Sequence, residues 1–124
     1  MKRDKIGYWL FAALFGLSML SASAMYVFDY EHASAEFTQL GFPLFIIYPL
    51  ALAKTLGVIG VLQQRSETLK EWAYAGFTFN ILLAFGGHYM ANDGEWFGPL
   101  VVLGFMIGLY VFDQKLKGAV DDEK

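Results

Sequence analysis

Four apolar runs separated by short polar segments organise this chain. The first, Ile6 to Phe28, is 23 residues without a charged side chain, and the second, Gly41 to Leu62, holds a single charge, Lys54. The third runs from Trp72 to about Ala91 and the fourth from Phe97 to Phe112. Crossing ~30 Å of hydrocarbon takes ~20 residues at ~1.5 Å each, so the first three runs are long enough to span directly. The fourth, at 16 residues, reaches that length if Trp96 and the aliphatic stem of Lys115 extend it. The pattern predicts an all-α integral membrane four-helix bundle, one domain over residues 1–124.

The connectors are short and polar, as turns between packed helices are. Asp29 to Leu40 is acidic, Gln63 to Glu71 carries Arg65 and Lys70, and Asn92 to Glu95 reads as a tight turn. Pro43 falls in the first turn of the second span, where its missing donor costs nothing. Pro49 is deeper and predicts a kink or a loosened turn. Small residues recur at four-residue steps in Ala12/Gly16, Ala53/Gly57 and Gly104/Gly108. Such steps let backbones approach, within one chain or between copies.

Charge sets the orientation. Lys2, Arg3 and Lys5 precede the first span, Arg65 and Lys70 lie in the second connector, and Lys115, Lys117 and Lys124 follow the last span. The other two connectors hold acids and no lysine or arginine. Cytoplasmic loops carry the excess of basic residues, which predicts a multi-pass membrane protein with both termini inside. The basic start followed by Ser21-Ala22-Ser23-Ala24 also resembles a secretory signal peptide. The apolar stretch continues through Phe28, however, and cleavage would break the charge alternation, so an uncleaved span is expected.

The composition agrees with this picture: 56% hydrophobic and 18% aromatic residues with 13 glycines, and a mean hydropathy of +0.43. A net charge of -3 with scattered basic residues gives no footprint for nucleic acid. The absence of cysteine excludes disulfides, thiolate metal sites, iron–sulfur clusters and covalently attached haem. No P-loop, nucleophile elbow or zinc-protease motif is present, and no catalytic constellation stands on its own.

The candidate chemistry lies in polar residues at membrane depth. An ammonium there costs ~2.5–3.5 kcal/mol on insertion scales and must face protein or a wet cavity. Lys54 lies eight residues from the end of its span and Asn80 eight from the start of the next, so in an antiparallel hairpin both reach ~12 Å deep. Gly76, Asn80, Ala84 and His88 follow at steps of four and define one stripe, with Phe77, Ile81, Leu82 and Phe85 opposite. Ser18, Ser21 and Ser23 could add hydroxyls or bond their own helix. The interior site suits a small polar ligand, a quinone headgroup or a proton; the bland alternative is interhelical packing. The candidate ligand-binding set is Lys54, Asn80, His88, Tyr89 and Tyr74. His32 and His88, with Asp29, Glu31, Asp93 and Glu95, share one side of the membrane. Their spacing lacks a tight ligand pattern, so neither a metal nor a haem is assigned to them.

Tyr48-Pro49, Ala53-Lys54-Thr55-Leu56-Gly57, Lys70-Glu71-Trp72-Ala73-Tyr74-Ala75-Gly76-Phe77 and His88 together resemble the DoxX-like family of small bacterial membrane proteins, over roughly Tyr8 to Leu109. The resemblance implies four membrane helices. It also implies a link to quinone redox work, since the family takes its name from a relative associated with thiosulfate:quinone oxidoreductase. Where the family often has a serine before the histidine, this chain has Gly87, which removes a hydroxyl beside His88. The functional expectation is a binding or accessory subunit of a quinone-linked oxidoreductase, with lipid and an oxidoreductase subunit or further copies of itself as partners. The alternatives are an oligomeric transporter or efflux-type protein, and a scaffold for membrane partners.

Overall fold

The computed structural model describes residues 2–123, with side chains described for residues 2–118. Five α-helices follow one another: α1 Lys2–Phe28, α2 Tyr30–Leu40, α3 Ile47–Leu62, α4 Glu67–Ala91 and α5 Phe97–Glu123, with a 3-10 turn, Leu44–Ile46, leading into α3. There is no strand among the described residues. Three segments are long and apolar enough to cross a membrane: Lys2–Phe28, Leu44–Leu62 and Phe97–Gly118. At 25 residues, or ~37 Å, α4 has the length, but Asn80 and His88, among tyrosines and glycines, dilute its apolarity.

Each of the four long helices packs on two others: α1 on α3 and α5, and α4 on α3 and α5. Neighbours run antiparallel. Gly7 lies against Phe112 and Gly108 against Phe11; Gly57 lies against Phe77 and Gly60 against Ala73. The start of α1, the end of α5 and the α3–α4 turn therefore share one end, the terminal end, and α2 with the α4–α5 turn forms the distal end.

Every long helix buries one stripe near the 3.6-residue period. On α3 it is Ile47, Ala51, Lys54, Val58 and Val61; on α4 it is Lys70, Tyr74, Phe77, Ile81 and His88. Val58 and Val61 of α3 and Tyr74, Phe77 and Ile81 of α4 meet Tyr8, Ala12, Phe15 and Met19 of α1 and Met106 and Leu109 of α5 in one core, where Phe15 stands edge-on to Phe77 at 4.9 Å. The outer faces stay apolar and exposed, including Trp9, Leu17, Leu52, Ile59, Phe79, Leu83 and Ile107. An apolar surface this extensive, on helices of spanning length, belongs in lipid. This is a membrane protein.

Several local features differ from the sequence expectations. The first connector is largely helical: Asp29 caps α2 by accepting from the His32 amide at 3.4 Å, and Gly41 closes it at φ 82°. Its Ala33 and Phe37 pack with Ile47 in a second, distal core. Pro43 precedes the 3-10 turn instead of lying within a helical turn. Pro49 is the third residue of α3, where an α-helix needs no donor, so the 3-10 turn absorbs what a kink would otherwise have to. α4 begins at Glu67, capped by the Ser66 hydroxyl, and α5 continues well past Phe112. The small-residue steps are largely filled from within the chain: Phe77 covers Gly57 and Phe11 covers Gly108, while Gly104 faces open space.

Candidate functional site

Lys54 projects from the buried stripe of α3 and is 8% exposed. Its Nζ donates to Asn80 Oδ1 at 3.0 Å, lies 3.9 Å from Met19 Sδ, and stands 5.5 Å from the centre of the Tyr26 ring. No carboxylate forms an ion pair with it among the described residues. An ammonium has three donors, and here only one meets a strong acceptor. The thioether and the ring face supply weaker electrostatic contacts.

Beside this amine, a groove of about 510 Å³ runs between α3 and α4 towards the terminal end. Lys54 and Asn80 line it at membrane depth, and Gln63 lies at its other end. The walls between are apolar, and their small residues make the room. Gly76 has nothing within 4 Å of where a Cβ would stand, whereas Gly60 lies 3.0 Å, by the same measure, from the Ala73 Cβ. Exposed Leu56, Ile59 and Trp72 border it, so it opens sideways, in the direction lipid would approach. The shape suits an amphipathic molecule: a small polar head at the amine and amide, an apolar body along the groove.

The other candidate residues lie elsewhere. Tyr74 belongs to a polar cluster at the terminal end, where its hydroxyl donates to Asp113 Oδ2 at 3.2 Å. Lys70, only 1% exposed, pairs with Asp113 Oδ1 at 3.1 Å and donates to Gln64 Oε1 at 2.9 Å. Gln64 in turn donates to the Tyr8 hydroxyl at 3.4 Å. Residues from α1, α4, α5 and the α3–α4 turn are thus joined in one hydrogen-bond network around a buried ion pair. Sequence reasoning missed it: Lys70 stands in a connector and Asp113 just past the end of the fourth apolar run. The available signal was the four-residue step from Lys70 to Tyr74, which continues to Phe77 and Ile81 as the core-facing stripe. The stripe of Gly76 and Asn80 lies on the flank, towards the groove.

His88 lies at the distal end of α4, fourteen residues (~21 Å) beyond Tyr74. It is buried, with Nδ1 2.7 Å from Asp93 Oδ2 and Nε2 3.7 Å from Glu36 Oε1. The hydrogen bond from His88 and the Glu95 amide hold the Asp93 carboxyl below its ordinary value. Tyr89 turns outward and stacks on Phe85 at 5.9 Å, so the structure does not bring it to the interior. His32 is exposed on α2. Among the serines, Ser23 donates across to the Ala51 carbonyl of α3 at 3.1 Å, while Ser18 bonds its own helix. Five candidate residues therefore fall into a groove end (Lys54, Asn80), a terminal cluster (Tyr74), a distal cluster (His88) and an outward face (Tyr89).

Among known proteins, the model of the DoxX-like family matches residues 10–109. Comparison with curated proteins and with solved structures gives no significant match.

Proposed function

The chain belongs to the DoxX-like family, and from that premise we propose that it is a four-span protein of the bacterial cytoplasmic membrane, a single domain with both ends inside, that binds a lipid-soluble carbonyl compound of the quinone type. A fourth span is supported by α4 itself. Its polar residues Lys70, Asn80 and His88 are turned to neighbouring helices, while Trp72, Phe79, Leu83 and Met90 are exposed outside. The basic residues gathered at the terminal end support the orientation.

One observation carries the ligand reading: a sheltered lysine with a single strong acceptor lines an apolar, laterally open groove. A quinone carbonyl accepts what that ammonium and the Asn80 amide have left to donate, and its prenyl tail follows the groove into lipid. The groove offers hydrogen-bond donors at one end and an apolar path along its length, which supports a binding role, as an accessory subunit of an oxidoreductase. Transport through one copy is disfavoured because Phe15, Phe77, Ile81, Met106 and Leu109 fill the space between the long helices.

Trp72 borders the groove and is a built-in reporter. In detergent-solubilised protein whose Trp9 and Trp96 are replaced by Phe, a menaquinone or ubiquinone analogue should quench Trp72 saturably. Lys54→Met should weaken that by at least tenfold, the worth of ~1.4 kcal/mol. Gly76→Leu, filling the groove where a Cβ meets nothing, should do the same with the helices intact. Linear, non-saturating quenching, equal in all three proteins, would sink the proposal.

A further inference from the structure

The distal end carries a second cluster that the quinone reading does not use. Asn92 ends α4 with φ 56°, and Gly94 turns the chain again at φ 77°. These two left-handed residues fold Asp93 and Glu95 back against the end of the helix. The result places one donor atom each from His88, Asp93 and Glu95 within 4.8 Å of one another. Glu36 of α2 approaches from the other side of the ring, 3.7 Å from Nε2.

The charges do not balance. Three carboxylates surround one imidazole, and neither distal connector contains a lysine or arginine. Asp93 and Glu36 have His88 as their only ion-pair partner among the described residues. His88 is buried, and its Nε2 faces the Glu36 carboxylate at 3.7 Å, beyond hydrogen-bond distance. In a neutral ring with its proton on Nδ1, that nitrogen would turn a lone pair towards an anion. Moving the proton to Nε2 turns its N–H to Glu36 but sets the Nδ1 lone pair against Asp93 Oδ2 at 2.7 Å, a conflict that a cation held between Nδ1, Asp93 and Glu95 would relieve. Metal-binding histidines characteristically donate their second ring N–H to a carboxylate in this way, which fixes tautomer and orientation.

We propose that His88 Nδ1, Asp93 and Glu95 bind a divalent transition cation of the zinc type, with Glu36 as the positioning residue on Nε2. One imidazole and two carboxylates make a borderline-hard donor set suited to Zn²⁺ or Co²⁺, with water completing the coordination. The 2.7 Å separation of Nδ1 and Asp93 Oδ2 is a hydrogen bond in the structure. Two donors on one zinc ion at tetrahedral angles stand ~3.4 Å apart, so binding replaces the shared proton and opens this contact slightly. The sequence alone pointed away from a metal because its two histidines and nearby acids show no tight ligand spacing. The fold supplies Glu36, one helical turn beyond His32 on α2.

The test uses the full chain, purified in detergent with its affinity tag removed, and Co²⁺ as the probe. Cobalt in such a site gives visible absorption bands that saturate at one equivalent and are displaced by Zn²⁺. His88→Ala should abolish the bands. Glu95→Gln, on the exposed connector where folding is not at stake, and Glu36→Gln should each weaken binding by at least tenfold. Glu67→Gln, exposed at the terminal end, should bind cobalt as the parent does. If the parent shows no saturable bands at millimolar Co²⁺, or if His88→Ala and Glu95→Gln match the parent, the site does not exist.

Discussion

Lys54 and Lys70 stand on neighbouring helices, both buried, and their surroundings differ in one respect that decides what each can do. Lys70 has a carboxylate at 3.1 Å, an amide oxygen at 2.9 Å, and a tyrosine on the far side of its partner acid. Lys54 has one amide oxygen, a thioether, an aromatic ring and an open groove. A buried charge paired with a carboxylate is part of the framework, because removing its partner strands it. A buried charge with donors to spare can be completed by a ligand. The terminal cluster therefore reads as a clamp on four segments of chain, and the groove end reads as a receptor.

The contrast breaks first at Asp113. Asp113→Ala leaves the Lys70 ammonium sealed in the core with only Gln64, and removes the acceptor of the Tyr74 hydroxyl as well. A loss of about 3–5 kcal/mol is expected for a buried pair cut on one side, read as a large fall in thermal midpoint in detergent. Lys54→Met should behave oppositely. Met resembles lysine in length and removes a charge that lacks a counter-ion, so stability should change by no more than ~1 kcal/mol and can rise. Ligand quenching should nonetheless be lost. If the two substitutions destabilise the protein equally, both lysines are framework and the proposed distinction fails.

Why the sequence revealed one lysine and hid the other follows from where each lies. Lys54 stands alone in a 22-residue apolar run, so hydropathy singles it out, and equal depth in a hairpin led to Asn80, the contact the structure shows. Lys70 and Asp113 are 43 residues apart and each sits in a polar stretch, where a charge needs no explanation. Only the antiparallel packing of α4 on α5 joins them. Much the same holds for Glu36, whose role depends on α2 folding back beside α4. The long apolar helices α1, α3 and α5 were legible from the apolar runs. The short helix α2 was not, since most of its 11 residues are polar or small and its evidence is two caps and the Ala33–Phe37 step. Tyr89, next in sequence to a buried histidine, points outward for a purely geometric reason: adjacent residues on a helix are ~100° apart.

The smallest expected effect sharpens the comparison at its exposed limit. Glu67 and Lys117 form a third link between α4 and α5, at 3.4 Å and roughly half exposed on each side. It repeats the Lys70–Asp113 connection about one helical turn nearer the terminal end, with the same helices and opposite charges. The difference is water. In high dielectric the attraction is weak and two long side chains lose freedom to make it, so Glu67→Gln should cost less than about 0.5 kcal/mol, and raising the salt concentration should erase even that. A double-mutant cycle on each pair, in one detergent, would measure burial alone. The terminal clamp requires a coupling energy for Lys70 and Asp113 several times that for Glu67 and Lys117. Equal coupling would mean that water reaches Lys70, and the distinction between a sealed framework charge and a ligand-ready one would lose its physical basis.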